Sequence, residues 1–304
     1  MSLHVIVGRG ATAQATARLL VETGDTVRMV SRTPGEPEPG IERIAVDATD
    51  ADALATLADG ATTIINCAAP AYHQWPELLP PMFGAIASAA ERTGAGYVML
   101  GNLYGYGPID GPITEDSPLT ATGPKGGVRA RMWLSAKAAH DAGRLRATEV
   151  RAGQFLGAGA VSIFTLLVAP KVLAGDLALV PAELDHPHAY TAIDDVARTL
   201  AAVARDDRAW GRPWLAPTIT ATVRGLATGL AGVAGAPEPR LATMTDRELA
   251  LLGLTQPFWN EIAETRYMDT GRFLVDPTHT LRTFGLSASP VDDVLAGMAV
   301  VPVG

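Results

Sequence analysis

The chain has 304 residues, a formal net charge of −8 and a single cysteine, Cys67. The acidic balance argues against nucleic acid as a partner. One cysteine excludes an internal disulfide and a cysteine-ligated metal site. Residues 1–4 carry no basic segment, which predicts no signal peptide, and no apolar run approaches the ~20 residues of a membrane span. We therefore expect a cytoplasmic protein that buries a large core and does not enter a membrane.

The first predicted strand, turn and helix, residues 3–22, contain a glycine pattern. An apolar run ends in Gly8, and Gly8-x-Gly10-x-x-Ala13 then opens an alanine-rich helix. This pattern is the alanine-ended form of the dinucleotide-binding fingerprint, in which the small residues allow a tight turn, a close pyrophosphate and close helix packing. The predicted cofactor contacts here are Gly8, Arg9, Gly10, Ala11, Thr12 and Ala13. A plain turn between strand and helix is the alternative.

The end of the second predicted strand, residues 27–30, indicates which dinucleotide binds. An acidic residue there would bind the ribose 2′-hydroxyl of NAD, but Ser31 and Arg32 follow the strand and Arg9 lies in the glycine turn. Two guanidinium groups and a hydroxyl suit a 2′-phosphate, so the sequence predicts NADP(H) in preference to NAD(H). The alternative is that Arg32 is a solvated loop residue.

Strands and helices alternate along the first 100 residues. Further strands are predicted at residues 41–47, 62–66 and 96–100, and a long helix at residues 80–93. This alternation predicts an α/β protein with a doubly wound parallel sheet, whose site lies at the carboxyl ends of the strands. The predicted cofactor residues on these loops are Asp47, Ala48, Cys67, Ala68 and Ala69. Thr49 or Asp50 is expected to cap the following helix, and Cys67 to be a packed thiol.

Several motifs then occur in a familiar order. After the glycine turn come Asn66-Cys67-Ala68-Ala69, Tyr104-Gly105, residues 151–157 (RAGQFLG) and residues 190–197 (YTAIDDVA). This order resembles the short-chain dehydrogenase/reductase superfamily, and within it the extended NAD-dependent epimerase/dehydratase type. The resemblance covers nearly the whole chain. It implies a Rossmann domain of residues 1–157 and 190–216 and a smaller, mostly helical substrate-binding lobe of residues 158–189 and 217–304.

The resemblance also implies a catalytic Tyr-x-x-x-Lys pair and a Ser or Thr after the fifth strand. The family's Pro-Tyr-Gly-x-Ser-Lys stretch aligns best with residues 124–129, which places Lys125 at the tyrosine position and Arg129 at the lysine position. The hydroxyl position falls within residues 100–102, where no hydroxyl is present. The family's acid/base roles therefore cannot be carried over to this chain.

Three sources of a proton for a reduced carbonyl remain open. They are Lys125, Tyr104, and an acidic hydroxyl of the substrate or a water. Lys125 would otherwise bind only the cofactor, and Tyr104 would otherwise pack under its turn. Gln154 and Phe155 are predicted to lie beside the nicotinamide. The predicted substrate-pocket residues are Tyr72, Asn102, Tyr104 and His188.

The remaining chain adds weaker signals. Residues 217–304 are predicted to be mostly helical, and the aromatic-rich stretch 258–268 forms either a pocket wall or a core stripe. Glu261 and Glu264 are expected to be solvated. His188 lies two residues after His186, but no third cluster of ligands accompanies them, so no metal is expected.

Three functions are compatible with these observations. The first is an NADPH-dependent ketoreductase with an atypical site, acting on a bulky polyketide-type metabolite, aromatic ones included; this rests on resemblance to tailoring reductases of antibiotic pathways. The second is a nucleotide-sugar epimerase or dehydratase, which the family resemblance implies but the missing Tyr-x-x-x-Lys disfavours. The third is a non-catalytic NADP(H)-binding regulatory protein. The partner expected is a small-molecule substrate, and the protein is either a monomer or a homodimer.

Overall fold

A seven-stranded parallel sheet forms the centre of the computed structural model, which describes residues 1–300. The order of its strands is β10-β6-β5-β4-β1-β2-β3. These strands are β1 (Leu3–Val7), β2 (Thr26–Ser31), β3 (Ile41–Ala45), β4 (Thr63–Asn66), β5 (Gly96–Asn102), β6 (Ala147–Ala152) and β10 (Pro213–Leu215). The strand order reverses between β1 and β4, which opens a crevice at their carboxyl ends. The predicted doubly wound sheet is confirmed.

Helices cover both faces of this sheet. They are α1 (Ala11–Glu22), α2 (Ala51–Leu57), α3 (Trp75–Thr93), α4 (Pro124–Asp141) and α6 (Ile193–Arg205). Successive side chains of β1 enter opposite cores, because Val5 and Val7 pack with α3 and α4 whereas Ile6 packs with α1 and α6. A strand buried on both faces is largely apolar, so β1 lacks polar alternation. His4 is the one polar residue of β1; its ring nitrogens lie 2.7 Å from the Thr63 hydroxyl and 3.2 Å from the Asp25 carboxylate.

The starts of α2 and α3 can be compared with their predictions. Asp50 caps α2, since its carboxylate accepts a hydrogen bond from the Ala53 amide at 3.0 Å. The helix predicted at residues 80–93 begins earlier, at Trp75, and contains Pro80 and Pro81. The Trp75 indole N–H donates to the Pro70 carbonyl at 3.1 Å, which fixes the turn that precedes the helix.

Beside the large sheet lie two small sheets, ordered β11-β9-β7 and β12-β8. Their strands are β7 (Gln154–Leu156), β8 (Leu177–Val180), β9 (His188–Ala192), β11 (Ile219–Ala221) and β12 (Arg240–Thr243). The surrounding helices are α5 (Ala169–Ala174), α7 (Val223–Ala234), α8 (Asp246–Gly253), α9 (Pro257–Asn260), α10 (Thr278–Phe284) and α11 (Val291–Ala299). The part after residue 217 thus holds strands as well as helices.

The aromatic-rich stretch is a short helix, α9, that continues as a tighter 3₁₀ helix over Glu261–Met268. We call residues 257–269 the wall segment, because this stretch borders the site described below. The division of the chain into two domains stays a prediction. Within residues 1–300, none of the helices combines the length and the hydropathy that crossing a bilayer requires.

Candidate active site

A cavity of about 510 Å³ opens at the carboxyl ends of β1, β4, β5 and β6. It extends from the first turn of α1 to the wall segment. Many of the residues predicted from the sequence share this cavity. Those that line it are Gly10, Ala11, Thr12, Ala13, Cys67, Ala68, Ala69, Tyr72, Asn102, Tyr104, Gln154 and Phe155. Predicted residues that do not line it are Gly8, Arg9, Ser31, Arg32, Asp47, Ala48, Lys125 and His188.

The glycine turn has the geometry that a bound phosphate requires. Gly8 has a φ of +115°, and a Cβ there would lie 3.0 Å from the Ala68 amide nitrogen, so only glycine fits. A Cβ on Gly10 would meet no atom within 4 Å, so the space above it is open. No side chain caps α1, and the Gln14 amide is the first to bond back, to the Gly10 carbonyl at 3.0 Å. The earlier amides therefore remain available to a phosphate.

The residues predicted to bind the adenosine ribose of the dinucleotide follow the carboxyl end of β2 or lie in the glycine turn. Arg9 and Arg32 are exposed, and neither guanidinium forms an ion pair with another residue of the range 1–300. The Ser31 hydroxyl donates to the Thr33 carbonyl at 2.8 Å. The hydrogen bonds from Thr49 lower the pKa of Asp47, and the charge of Arg32 adds to this effect. Burial raises the pKa of the Cys67 thiol to about 12, so the thiol is protonated at neutral pH.

Lys125 is held by carboxylates of the wall segment. Its ammonium group forms an ion pair with Glu261, lies 3.9 Å from Glu264 and stands 4.8 Å from the centre of the Tyr72 ring. Glu264 also accepts the amides of Lys125 at 2.8 Å and Gly126 at 3.0 Å, so it caps α4. The side chain of Lys125 is 1% exposed. The expectation that both glutamates are solvated is wrong, because both contact Lys125. More than 130 residues separate each glutamate from this lysine, so no local sequence pattern indicates the contact.

Arg129 borders the cavity beside the aromatic rings. Its guanidinium lies 4.4 Å from the centre of the Trp75 ring and donates to the Leu100 carbonyl at 3.2 Å. Burial lowers the pKa of Arg129, although an arginine side chain stays charged. Among residues 1–300, its Nε has no hydrogen-bond partner.

The carboxylate of Glu149 fills the space beside Gly101, one of the three residues at which the resemblance would place a Ser or Thr. A Cβ on Gly101 would collide with the carboxylate of Glu149, which is buried and bound by Arg151 at 2.6 Å. Arg151 also donates to the Tyr106 hydroxyl at 2.7 Å. This buried network explains why position 101 holds a glycine, since any larger residue would displace the glutamate.

Four aromatic rings, those of Tyr72, Trp75, Tyr104 and Phe258, border the substrate side of the cavity. The Tyr72 ring centre lies 4.8 Å from that of Trp75 and 5.2 Å from that of Phe258. Burial raises the pKa of Tyr104 and of Tyr72, so both phenols are protonated and neutral at physiological pH. Asn102 has a local role, because its side-chain oxygen accepts the Tyr104 amide at 3.1 Å.

His188 lies in β9, outside the cavity. The side chain is buried, its Nε2 is 2.8 Å from the Gly271 carbonyl oxygen, and burial lowers its pKa. These contacts make it a neutral core residue that joins β9 to the turn after the wall segment. The structure contains no group of three His, Cys, Asp or Glu side chains within residues 1–300 that could hold a metal ion.

Asp269 is a cavity residue that the sequence did not predict. It ends the wall segment, is 4% exposed, and accepts a hydrogen bond from the Gln154 side-chain amide at 2.6 Å. Burial raises the pKa of Asp269 to about 7. No local pattern marks this aspartate, because its partner is 115 residues away and is brought to it only by the fold.

No family model and no curated protein matches this chain. Solved structures do match it over nearly its whole length. The enzyme WbmH of Bordetella bronchiseptica, in complex with NAD+, is 16% identical, with 98% of this chain and 97% of that chain covered and a TM-score of 0.77. The UDP-glucose 4-epimerase of Bifidobacterium longum, in complex with NAD+ and UDP, is 17% identical, with 97% and 96% covered and a TM-score of 0.78.

A third neighbour is DesIV, the dTDP-glucose 4,6-dehydratase of Streptomyces venezuelae, at 20% identity, with 98% and 95% covered and a TM-score of 0.76. At these identities the likeness shows the fold alone. The epimerase and the dehydratase fit the second function inferred from the sequence better than the ketoreductase. These neighbours give no support to a polyketide substrate.

Proposed function

We propose that the protein is a nicotinamide-dinucleotide-dependent oxidoreductase that acts on a small molecule in this cavity. The observation that carries the proposal is the continuity of the cavity, which joins the open first turn of α1 to the aromatic side chains of the substrate end. The amides of Ala11, Thr12 and Ala13 would hold the pyrophosphate, and Gln154 and Phe155 would border the nicotinamide. The bound dinucleotide would supply or accept a hydride.

NADP(H) is the proposed form of the cofactor. Arg9 and Arg32 are both exposed near the end of β2, and a Cβ on Gly35 would lie 3.9 Å from the Arg9 guanidinium. An arginine pair can bind a 2′-phosphate through charge-assisted hydrogen bonds. The structural neighbours named above have NAD bound, so this preference is a property that we propose for this chain alone.

An uncharged, largely apolar carbonyl compound is the substrate class that the lining favours. Within residues 1–300, Arg129 is the one cation among the residues that line the cavity. Its guanidinium already stacks on Trp75 and binds Leu100. The substrate end is otherwise bordered by aromatic and aliphatic side chains such as Phe258, Ile262 and Met268, which favour flat apolar ligands.

A nucleotide-sugar epimerase or dehydratase is the second candidate. The structural neighbours favour it, because two of those named above act on nucleotide sugars and are covered almost completely by the match. Two features of the site oppose it. Lys125, which the resemblance places at the tyrosine position, is ion-paired outside the cavity. Among residues 1–300, the substrate end supplies no second cation for a diphosphate.

A turnover assay separates these candidates. NADPH consumption is measured with aryl and aliphatic ketones, and NAD-dependent conversion with UDP-glucose and dTDP-glucose. We expect turnover of aryl ketones, with a higher KM in Phe258→Ala and an unchanged NADPH affinity in the same variant. Conversion of a nucleotide sugar alone would establish the second candidate instead. Tight dinucleotide binding without any turnover would identify a regulatory protein and contradict the enzyme proposal.

A further inference from the structure

The site lacks the tyrosine that the resemblance implies as proton donor, and the cavity holds one buried carboxyl group. Gln154 binds one oxygen of Asp269, and no other hydrogen bond from residues 1–300 reaches this carboxylate. The same side chain lines the cavity beside Gln154, on the strand predicted to border the nicotinamide. A carboxyl group with one oxygen fixed and the other free is suited to proton transfer.

We propose that Asp269 is the catalytic acid of this site: its carboxyl group gives a proton to the carbonyl oxygen of a substrate held in the cavity. This inference rests on the proposed oxidoreductase function and names the group that completes it. Lys125 is excluded from the role because its ammonium group is ion-paired with Glu261 and does not line the cavity.

The reaction balances as follows for a ketone. The carbonyl carbon accepts a hydride with both electrons of the new C–H bond, and the carbonyl oxygen takes the proton of Asp269 to become a hydroxyl. The O–H bond of Asp269 breaks, its electron pair stays on the carboxylate, and water restores the proton. The ketone is reduced to an alcohol while the reduced dinucleotide, the co-reactant of the proposed function, is oxidised.

The surroundings of Asp269 favour the neutral form of its carboxyl group. Burial is the largest effect and raises its pKa to about 7, whereas the Gln154 hydrogen bond and the charge of Arg266 oppose it. Arg266 forms an ion pair with Asp246, which limits that opposition. The other ionisable residues around it are Tyr104, Tyr190, Tyr267 and, through its backbone, the exposed Glu183. A pKa near the working pH is the value at which a general acid is most effective.

Tyr104 also lines the cavity, but it is the weaker candidate. Burial raises the pKa of its phenol above an ordinary value that is already near 10, so it releases a proton far less readily than Asp269 does. Aspartate and tyrosine therefore predict different pH profiles. Reduction that depends on Asp269 falls as the pH rises through about 7, where the acid is lost.

The first test measures protonation without turnover. The whole protein is labelled with ¹³C at the aspartate carboxyl carbons, and the NMR spectrum is followed against pH in wild type and Asp269→Asn. We expect one resonance that titrates near neutral pH and is missing from the variant. If every aspartate titrates in the ordinary acidic range, Asp269 is an anion at neutral pH and the inference is overturned.

The second test measures the consequence for catalysis. Reduction of an aryl ketone by NADPH should fall about 100-fold in Asp269→Asn, in the range typical of a lost general acid, while Asp110→Asn, an exposed control, leaves it unchanged. Gln154→Leu removes the hydrogen bond that favours the anion, so the break in the wild-type pH profile should move to higher pH. Equal rates in Asp269→Asn and wild type would overturn the inference.

The two proposals fail in different ways. If NADPH does not bind, the oxidoreductase function fails and the proposed role of Asp269 fails with it, whatever its protonation. If NADPH binds and ketones are reduced with an unchanged rate and pH profile in Asp269→Asn, only the assignment of the acid fails. If Asp269→Asn loses the resonance that titrates near neutral pH and also shows the predicted fall in rate, both the oxidoreductase function and the role of Asp269 are supported.

Discussion

The two ends of the cavity are built in different ways. At the glycine turn, the geometry is set by residues next to one another in sequence: the backbone requires a glycine at Gly8, and Gly10 leaves open space. At the start of α4, the geometry is set by partners far along the chain, since Glu261 and Glu264 hold Lys125 and Glu149 fills the space beside Gly101. The first end keeps the pattern that the family resemblance implies, and the second departs from it.

The residues at the second end have structural contacts of their own. The sequence resemblance aligns Lys125 and Arg129 with the catalytic pair, but in the structure the lysine attaches the wall segment and the arginine stacks on Trp75. The wall segment in turn brings Asp269 to the cavity. Lys125 and Arg129 thus have structural contacts, and the proposed acid, Asp269, comes from a different part of the chain.

The largest expected effect concerns the stability of Asp269→Asn. The folded-state pKa of about 7 lies above the ordinary value of 3.8, so wild-type stability falls as the pH rises from about 4 to about 7 and stays lower above that range. Three pKa units correspond to a cost of up to about 4 kcal/mol at pH 8. We therefore expect the asparagine variant to gain stability on wild type as the pH rises, as measured by urea unfolding at pH 5 and pH 8. If the difference in free energy of unfolding between the variant and wild type were the same at both pH values, the burial of an ionisable carboxyl group would be contradicted.

Lys125→Met should give the next largest effect. It leaves Glu261 and Glu264 without their cation, and breaking a buried ion pair costs about 3 kcal/mol; the partial exposure of both carboxylates places this value at the low end of the range. Adding Glu261→Gln to Lys125→Met should restore part of the loss in urea unfolding. A loss below about 0.5 kcal/mol would mean that the pair behaves like an exposed one.

Gly10→Ala tests the other end of the cavity. Its methyl group would meet no protein atom within 4 Å, so the melting temperature should not change. The methyl would occupy the space proposed for the pyrophosphate, and we expect about tenfold weaker NADPH binding, or about 1.4 kcal/mol, in a fluorescence titration. Gly84→Ala, which lies in α3 and also meets no atom, is the matched control. Equal affinities in both variants would place the dinucleotide elsewhere.

Arg32→Ala should have the smallest effect. An exposed charge-assisted hydrogen bond is worth about 1 kcal/mol, so NADPH affinity should fall about fivefold while NADH affinity stays the same. Arg92→Ala, which removes another exposed arginine, serves as the control. If the affinities for NADPH and NADH fall by the same factor in Arg32→Ala, Arg32 does not contact a 2′-phosphate and does not explain the NADP(H) preference.

Local patterns determined how much the sequence could predict. The apolar strands, the glycine turn and the cap at Asp50 depend on neighbouring residues. The sheet was therefore predicted correctly, and many of the predicted site residues line one cavity. The ion pair of Lys125 with Glu261 and the approach of Asp269 to Gln154 depend on contacts across more than 100 residues. Such contacts leave no periodic pattern, which explains why both glutamates were placed in solvent and Asp269 was overlooked.

The most direct test is hydrogen–deuterium exchange of the whole protein with and without NADPH. We expect slower exchange in the first turn of α1, residues 10–13, and at residues 67–69, with no change in α8, which does not line the cavity. That pattern would locate the dinucleotide at the glycine turn and support the oxidoreductase function. Unchanged exchange at both places under saturating NADPH would contradict it.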